Sequence, residues 1–242
     1  MQNHSINELS TLAARNKLVP FLGAGTSYGH LNLDWDSIST EMAKEINCER
    51  TANPTIAENY VRARGNKGLC EFLKKKLLVN EYNEELDIVP LITASLGVGL
   101  IYSTNQDNVF EKCLEKYGRK YRVISRLEDL ALHLPGESMY IKYHGDLEYP
   151  ETVIFSESSY KDRMKNKDHF FNIRMRSDLL TKSFLFIGYS FRDPNIVLIF
   201  EEISKAFGGK IPMSYLIAFN YTNELEILCK SYGINVINPM SE

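Results

Sequence analysis

The chain has 242 residues, of which 44% are apolar and 11% aromatic, and a formal net charge of −3. This composition supplies one full α/β core, or a core with a small second module, and excludes intrinsic disorder. The weak negative charge argues against a binder of nucleic-acid backbones, because the only basic cluster, Lys74 to Lys76, reads as the solvated face of a helix.

Four cysteines, Cys48, Cys70, Cys113 and Cys229, are scattered without a CxxC pair or a histidine at ligand spacing, which speaks against a structural metal. No N-terminal segment resembles a signal peptide, and the run Val89 to Tyr102 is too short and glycine-broken for a membrane span. The expectation is a cytoplasmic protein with buried thiols and no membrane partner.

In chain order, Ile6 to Asn16 reads as a short helix and Lys17 to Leu22 as an apolar strand running into Gly23-Ala24-Gly25-Thr26-Ser27. Pro20 lacks an N–H for the ladder, so a local irregularity is expected there. Asp34 is placed to cap a helix with the stripe Trp35, Ile38, Met42 and Ile46. Residues 53 to 94 read as consecutive helices, Pro54 to Arg64, Lys67 to Leu78, and Asn83 or Glu84 to Ala94, forming a helical module over the sheet.

Leu100 to Tyr102 ends a buried strand, and Val109, Phe110, Cys113, Leu114 and Tyr117 repeat at helical spacing, so Asn105, Gln106 and Asp107 fall on a strand-to-helix turn. Gly118 is a helix stop, Tyr121 to Ser125 a strand and Glu128 to Leu134 a short helix. Met139 to Tyr143 forms a strand ending at His144-Gly145-Asp146, Thr152 to Phe155 a short extended stretch, and Asp168 to Thr181 a helix. Ser183 to Ile187 is the near-continuous apolar strand expected when both faces are covered, and it stops at Gly188-Tyr-Ser190-Phe-Arg-Asp193-Pro194-Asn195. Asp193 and Pro194 fit the cap and first position of a helix ended by Gly208 and Gly209. Ser214 to Phe219 is a strand ending in Asn220, Glu224 to Lys230 a helix and Asn235 to Ile237 a last strand.

Four strand ends, and Asn220 as a fifth, therefore present small or polar residues where an open α/β sheet binds ligands. Glycines after a strand allow close approach to a pyrophosphate, although Gly-x-Gly alone is more often a structural turn. A dehydrogenase fingerprint fits poorly, since its third glycine is displaced to Gly29 and no acidic strand end follows at the expected distance. His144 is placed to accept a proton near neutral pH, and the Asn105 amide to hold a water or a ribose hydroxyl. Asp107 reads either as a helix cap or as a ligand contact.

In this order the motifs Gly-Ala-Gly-Thr-Ser, Thr-Asn-Gln-Asp (104 to 107), His-Gly and Gly-Tyr-Ser-Phe-Arg-Asp-Pro-Asn resemble the sirtuin family, and more narrowly the sirtuin-like NAD-consuming effector domains of bacterial anti-phage defence. The resemblance covers about residues 16 to 240. It implies a Rossmann-like parallel sheet with helices on both faces, one sirtuin-like domain over 1–242, with a nucleotide-binding core at about 16–30 and 95–242 and a helical module at about 31–94. It implies NAD+ as substrate, with Gly23, Ala24, Gly25 and Ser27 at the pyrophosphate, Asp107 at the nicotinamide amide, and Thr26 and Gln106 also among the cofactor-binding residues. Gly188 and Ser190 would line the adenosine half, Asn220 the adenine-side ribose, and Asn105 and His144 would be catalytic. Asp193 is read as a helix cap.

Deacylating sirtuins carry two CxxC pairs after the His-Gly motif, whereas Asp146 to Ser158 contains no cysteine, so the zinc ribbon is missing. An arginine-bearing loop after the glycine motif is also replaced, by His30 to Trp35. The expectation is an NAD+ glycohydrolase, with no metal, that releases nicotinamide and ADP-ribose in an abortive-infection system. Deacylation or ADP-ribosyl transfer, and a non-catalytic NAD or ADP-ribose sensor, are the alternatives. The resemblance further implies activity governed by self-association or by a sensor partner.

Overall fold

Successive residues of the central strands point into two different cores. On β1 (Leu18–Leu22), Val19 and Phe21 join one apolar cluster while Leu18 and Leu22 join another; on β2 (Leu100–Ser103), Leu100 and Tyr102 part from Ile101 in the same way. β4 (Met139–Lys142), β5 (Ser183–Ile187) and β6 (Ser214–Ile217) follow the same rule. Period-two alternation with apolar side chains on both faces is what a sheet covered on both sides requires.

The computed structural model describes residues 2–191 and 193–240; Met1, Arg192 of the Gly188–Asn195 motif, and residues 241–242 lie outside the described residues. With β3 (Arg122–Ile124) and β7 (Ile234–Ile237), the strands form one seven-stranded parallel sheet in the order β3-β4-β2-β1-β5-β6-β7. Parallel pairing sends every strand's C-terminal end to the same rim. The expected Rossmann-like architecture is therefore what the chain forms.

One face is covered by α1 (Gln2–Ala14), α5 (Val89–Ser95) and α6 (Val109–Lys116). The other carries α7 (Leu127–Ala131), α9 (Phe170–Leu179), α10 (Pro194–Phe207) and α11 (Asn223–Ser231), with Phe171, Met175, Ile199, Phe200 and Cys229 filling the space. Each phenylalanine, methionine or isoleucine among them contributes roughly 1.5–3 kcal/mol when fully buried. A third cluster joins α3 (Trp35–Glu45) to α4 (Asn53–Leu77), with Leu147, Val153 and Phe155 from the chain beyond β4. α4 is broken at Gly65, whose φ of 73° departs from helix.

Several local expectations are corrected. The helix expected from Asn83 or Glu84 begins only at Val89, where the Asp87 carboxylate accepts from the Val89 N–H and Pro90 falls in the first turn; in the interior, Pro90 would clash with the preceding turn. The extended stretch from Thr152 is preceded by a 3₁₀ turn, Pro150–Thr152, and followed by α8 (Glu157–Lys165), a helix capped by Ser156 that the apolar spacing does not announce. The interval before Asp34 holds a 3₁₀ turn, Ala24–Thr26, and the single-turn α2 (Tyr28–Leu31). Pro20 pairs in register with Leu185 of β5 without a break, and its cost shows on the other side, where the ladder to β2 starts only at Phe21. Cys70, Cys113 and Cys229 are buried free thiols, which burial pushes up to about 11. No helix of the described residues is long and apolar enough to cross a membrane.

Candidate active site

The strand order reverses direction between β1 and β5, and the loops that leave these two strands meet there. The Gly25 N–H donates to the Gly188 carbonyl at 2.9 Å. A Cβ on Gly23 would stand 2.5 Å from that carbonyl oxygen, and a Cβ on Gly188, whose φ is +61°, would stand 2.6 Å from the Thr26 nitrogen. The glycines are thus needed first for backbone on backbone. The N–H groups of Gly25, Thr26 and Ser27 are all committed, to Gly188, Gly23 and Ala24 respectively, so the loop offers a ligand its exposed Ala24–Gly25 surface rather than a ring of free amides.

Asn105, two residues past β2, donates from Nδ2 to the Gly23 carbonyl at 3.0 Å, Ser27 Oγ at 3.2 Å and Thr26 Oγ1 at 3.3 Å. A carbonyl can only accept, so the amide nitrogen must face the loop. This leaves Oδ1, which is buried and without a partner, in a residue that lines the cleft. The open function of Asn105 is therefore an acceptor. Gln106 repeats the pattern: Nε2 donates to the His144 and Ile154 carbonyls at 3.1 and 3.2 Å, while Oε1 is buried and unpartnered.

Asp107 starts α6 and also borders the cleft. One carboxylate oxygen accepts from the Val109 N–H at 2.9 Å, fixing the start of α6, and the buried side chain lines the cleft. Burial pushes its carboxyl above the usual range, against the Val109 N–H and the charge of Lys142. Behind it, Lys142 of β4 is 2% exposed, bonded to Glu111 at 2.6 Å and Asp146 at 3.1 Å, and donates to the Asp107 carbonyl at 3.1 Å. Burial opposes its charge, but the two carboxylates outweigh it and hold the ammonium above its ordinary range.

His144 follows β4 by two residues, and its carbonyl accepts from the Ile154 N–H, so the chain doubles back behind the ring. Gly145, with φ of +82°, makes that return possible, since a Cβ there would meet the Thr152 carbonyl at 2.2 Å. Nε2 lies 2.7 Å from Asp193 Oδ2, close but off the line of a hydrogen bond, and both side chains are under a tenth exposed. Asp193 also caps α10, its Oδ1 accepting from the Asn195 N–H at 2.8 Å, as its position before Pro194 implies.

These groups open onto one cavity of about 920 Å³ along the rim. Of the residues the sequence singles out, Ala24, Gly25, Asn105, Gln106, Asp107, His144, Gly188, Ser190 and Asn220 line it. Gly23, Thr26 and Ser27 do not; they lie buried behind it and brace the loop and Asn105. Sequence reasoning missed Asp193 as a neighbour of His144, since its capping role already accounted for it. It also missed the aromatic wall, in which Trp35 lies 4.8 Å from Phe155 and 6.1 Å from Tyr160, and Tyr160 stands edge-on to His144 at 5.6 Å. Trp35 is legible only as part of a helix stripe, and Tyr160 lies in a stretch without a periodic signal.

A SIR2-like domain matches residues 99–237, which hold every strand but β1. The chain is 28% identical over 205 residues to "NAD(+) hydrolase ThsA" of Enterococcus faecium, covering 82% of this chain and 42% of that protein. It is 28% identical over 194 residues to "NAD(+) hydrolase ThsA" of Cytobacillus dafuensis, covering 78% and 38%. To "Defense-associated sirtuin 2" of Bacillus subtilis it is 23% identical, over 98% of this chain and 24% of that protein. The chain thus spans less than half the length of these relatives. With the matched segment covering more than half of its residues and the parallel sheet carrying the glycine, asparagine and histidine motifs on one rim, the chain belongs to the SIR2-like domain family.

Proposed function

We propose that this domain hydrolyses NAD+ to nicotinamide and ADP-ribose as the NAD-depleting part of an anti-phage system. The observation that carries the reading is the unpartnered, buried Asn105 Oδ1 in a residue that shares a single cleft with His144 at the strand-order reversal. Support comes from relatives named NAD(+) hydrolase and from a cavity of about 920 Å³, within the range of roughly 300–1,000 Å³ for small-molecule sites.

In this reading, the pyrophosphate rests on Ala24 and Gly25, the adenosine half lies toward Gly188, Ser190 and Asn220, and the nicotinamide amide meets Asp107 and Gln106 Oε1. The nicotinamide nitrogen is cationic, so the C1′–N bond breaks with its electron pair leaving on a neutral ring that needs no proton. Asn105 Oδ1 accepts a hydrogen bond from the attacking water or a ribose hydroxyl, turning the oxygen lone pair toward C1′. His144 takes the proton, directly from water or through the ribose hydroxyls.

Purified protein incubated with NAD+ is expected to release nicotinamide and ADP-ribose, and Asn105→Ala and His144→Ala each to lose at least about a hundredfold in kcat. Wild-type cleavage by both variants would overturn the assignment. A second reading, ADP-ribosyl transfer to an acyl-lysine, is favoured by the apolar side of the cleft, where Ile38, Leu77, Trp35 and Phe155 could take an acyl chain. Formation of O-acyl-ADP-ribose from an acetylated peptide separates the two. We also infer dependence on self-association or a sensor partner, supported by the exposed Leu86, Ile88 and Ile92 on and before α5. Specific activity that rises with protein concentration is the expected sign of assembly.

A further inference from the structure

Only one oxygen of Asp193 is engaged in a hydrogen bond; the other is buried and faces His144. Oδ1 is fixed by the Asn195 N–H at the start of α10, which prevents the carboxylate from turning freely, and Oδ2 is thereby held 2.7 Å from His144 Nε2. Among the described residues no lysine or arginine forms an ion pair with Asp193. The other titratable groups around the imidazole are the phenols of Tyr143 and Tyr160, with rings 5.7 and 5.6 Å away, and the Arg163 guanidinium of α8, which donates to the Tyr143 carbonyl. The buried Tyr189 hydroxyl lies beside Asp193, against its backbone N–H.

We propose that Asp193 is the positioning residue of His144: its carboxylate fixes the tautomer of the imidazole and holds the charge the ring acquires during NAD+ cleavage. This deepens the hydrolase reading and rests on it for the reaction step. A carboxylate 2.7 Å from a ring nitrogen attracts only if that nitrogen carries hydrogen, so the neutral ring keeps its proton on Nε2 and presents the Nδ1 lone pair as the base. As the water oxygen bonds to C1′ and the C1′–N pair departs with nicotinamide, the water proton passes to His144. The imidazolium then faces an anion instead of standing alone in a buried site, where an unpaired charge is costly.

A cap alone would also explain Asp193, and the Asp193→Asn variant separates the two roles. Asparagine caps a helix as well as aspartate does, so Asp193→Asn keeps Oδ1 on the Asn195 N–H; it then turns an amide N–H₂ toward His144 and removes the charge. The expected outcome has two parts. The melting temperature stays at the wild-type value, and kcat for NAD+ falls at least about a hundredfold with KM changed less than about threefold. Ring ¹⁵N shifts of His144 report Nε2–H in the wild type and Nδ1–H in Asp193→Asn, a readout that needs no activity. Asp193→Ser, which also caps but carries neither charge nor amide, should lose kcat as well. Wild-type kcat in both variants, or an unchanged ¹⁵N pattern in Asp193→Asn, overturns the proposal. A wild-type protein that leaves NAD+ intact would instead defeat the hydrolase reading, with the ¹⁵N pattern still deciding the pairing.

Discussion

Asn105 Nδ2 and the Gly23 carbonyl, 3.0 Å apart, lock the turn after β2 to the loop after β1 and leave Oδ1 buried without a partner in a residue that lines the cleft. The same contact makes the side chain's chemistry one-sided. Asn105→Asp would place a carboxylate against that carbonyl and the hydroxyls of Thr26 and Ser27. Asn105→Asp is expected to lose about 2–4 kcal/mol in urea unfolding together with activity, and Asn105→Ala about 1–3 kcal/mol. If Asn105→Asp were as stable as wild type, the amide orientation would be the reverse of the one described.

Gly188 faces two separate demands, a positive φ and a neighbouring backbone nitrogen where its Cβ would lie. The neighbour is main chain, so no side-chain rotation relieves it. Gly188→Ala should cost at least about 2 kcal/mol and displace the Gly23–Ser27 loop. Calorimetry together with NAD+ binding checks this, and loss of binding with full stability would contradict a packing role. By contrast Gly118→Ala, also at positive φ but with open space around the added Cβ, should cost only about 1 kcal/mol and leave binding unchanged.

Much of this was legible because parallel strands read plainly. Ser183–Ile187 carries apolar side chains on both faces, and the strand ends followed from where that run stopped. Asn105 and His144 stood out as polar groups where an apolar run ends. What the sequence could not carry was distance between turns. Gly23 and Asn105 are 82 positions apart, and nothing local says that one amide would be held by the other's carbonyl. Asp193 was hidden for the opposite reason: capping α10 accounted for one oxygen, and only the sheet order brings the other to His144. Helix starts at Val89 and Glu157 depended on proline and serine caps that outweighed the apolar spacing.

Lys142 ties β4 to the Asp107 turn through the Asp107 carbonyl and to α6 through Glu111, and it also pairs with Asp146, so removing its charge leaves Glu111 and Asp146 without their buried partner. Lys142→Met is expected to cost about 3–5 kcal/mol, and the double variant with Glu111→Leu to recover part of it, because one orphaned carboxylate is then gone. Urea unfolding of the two singles and the double gives the coupling. Strict additivity would mean that the Lys142–Glu111 contact contributes nothing. Since Lys142 also donates to the Asp107 carbonyl, weaker NAD+ binding should accompany the single variant.

His169 caps α9, its Nδ1 accepting from the Phe171 N–H at 3.3 Å, a role only a neutral ring can fill. Burial, and then the nearby Arg163 guanidinium, push the imidazole down to about 4. In the unfolded chain a histidine titrates near 6.5. Between these values the unfolded state binds a proton that the folded state refuses. The contribution is therefore complete above about pH 6.5 and is lost as pH falls toward 4. The ring is only half-buried, so solvent screening reduces the effect to roughly 1–2 kcal/mol. His169→Asn keeps a capping oxygen without a titrating ring. Unfolding free energies measured from pH 7 to pH 4 should fall by that much more in the wild type than in His169→Asn, and parallel curves would show that the folded protein does not resist the charge.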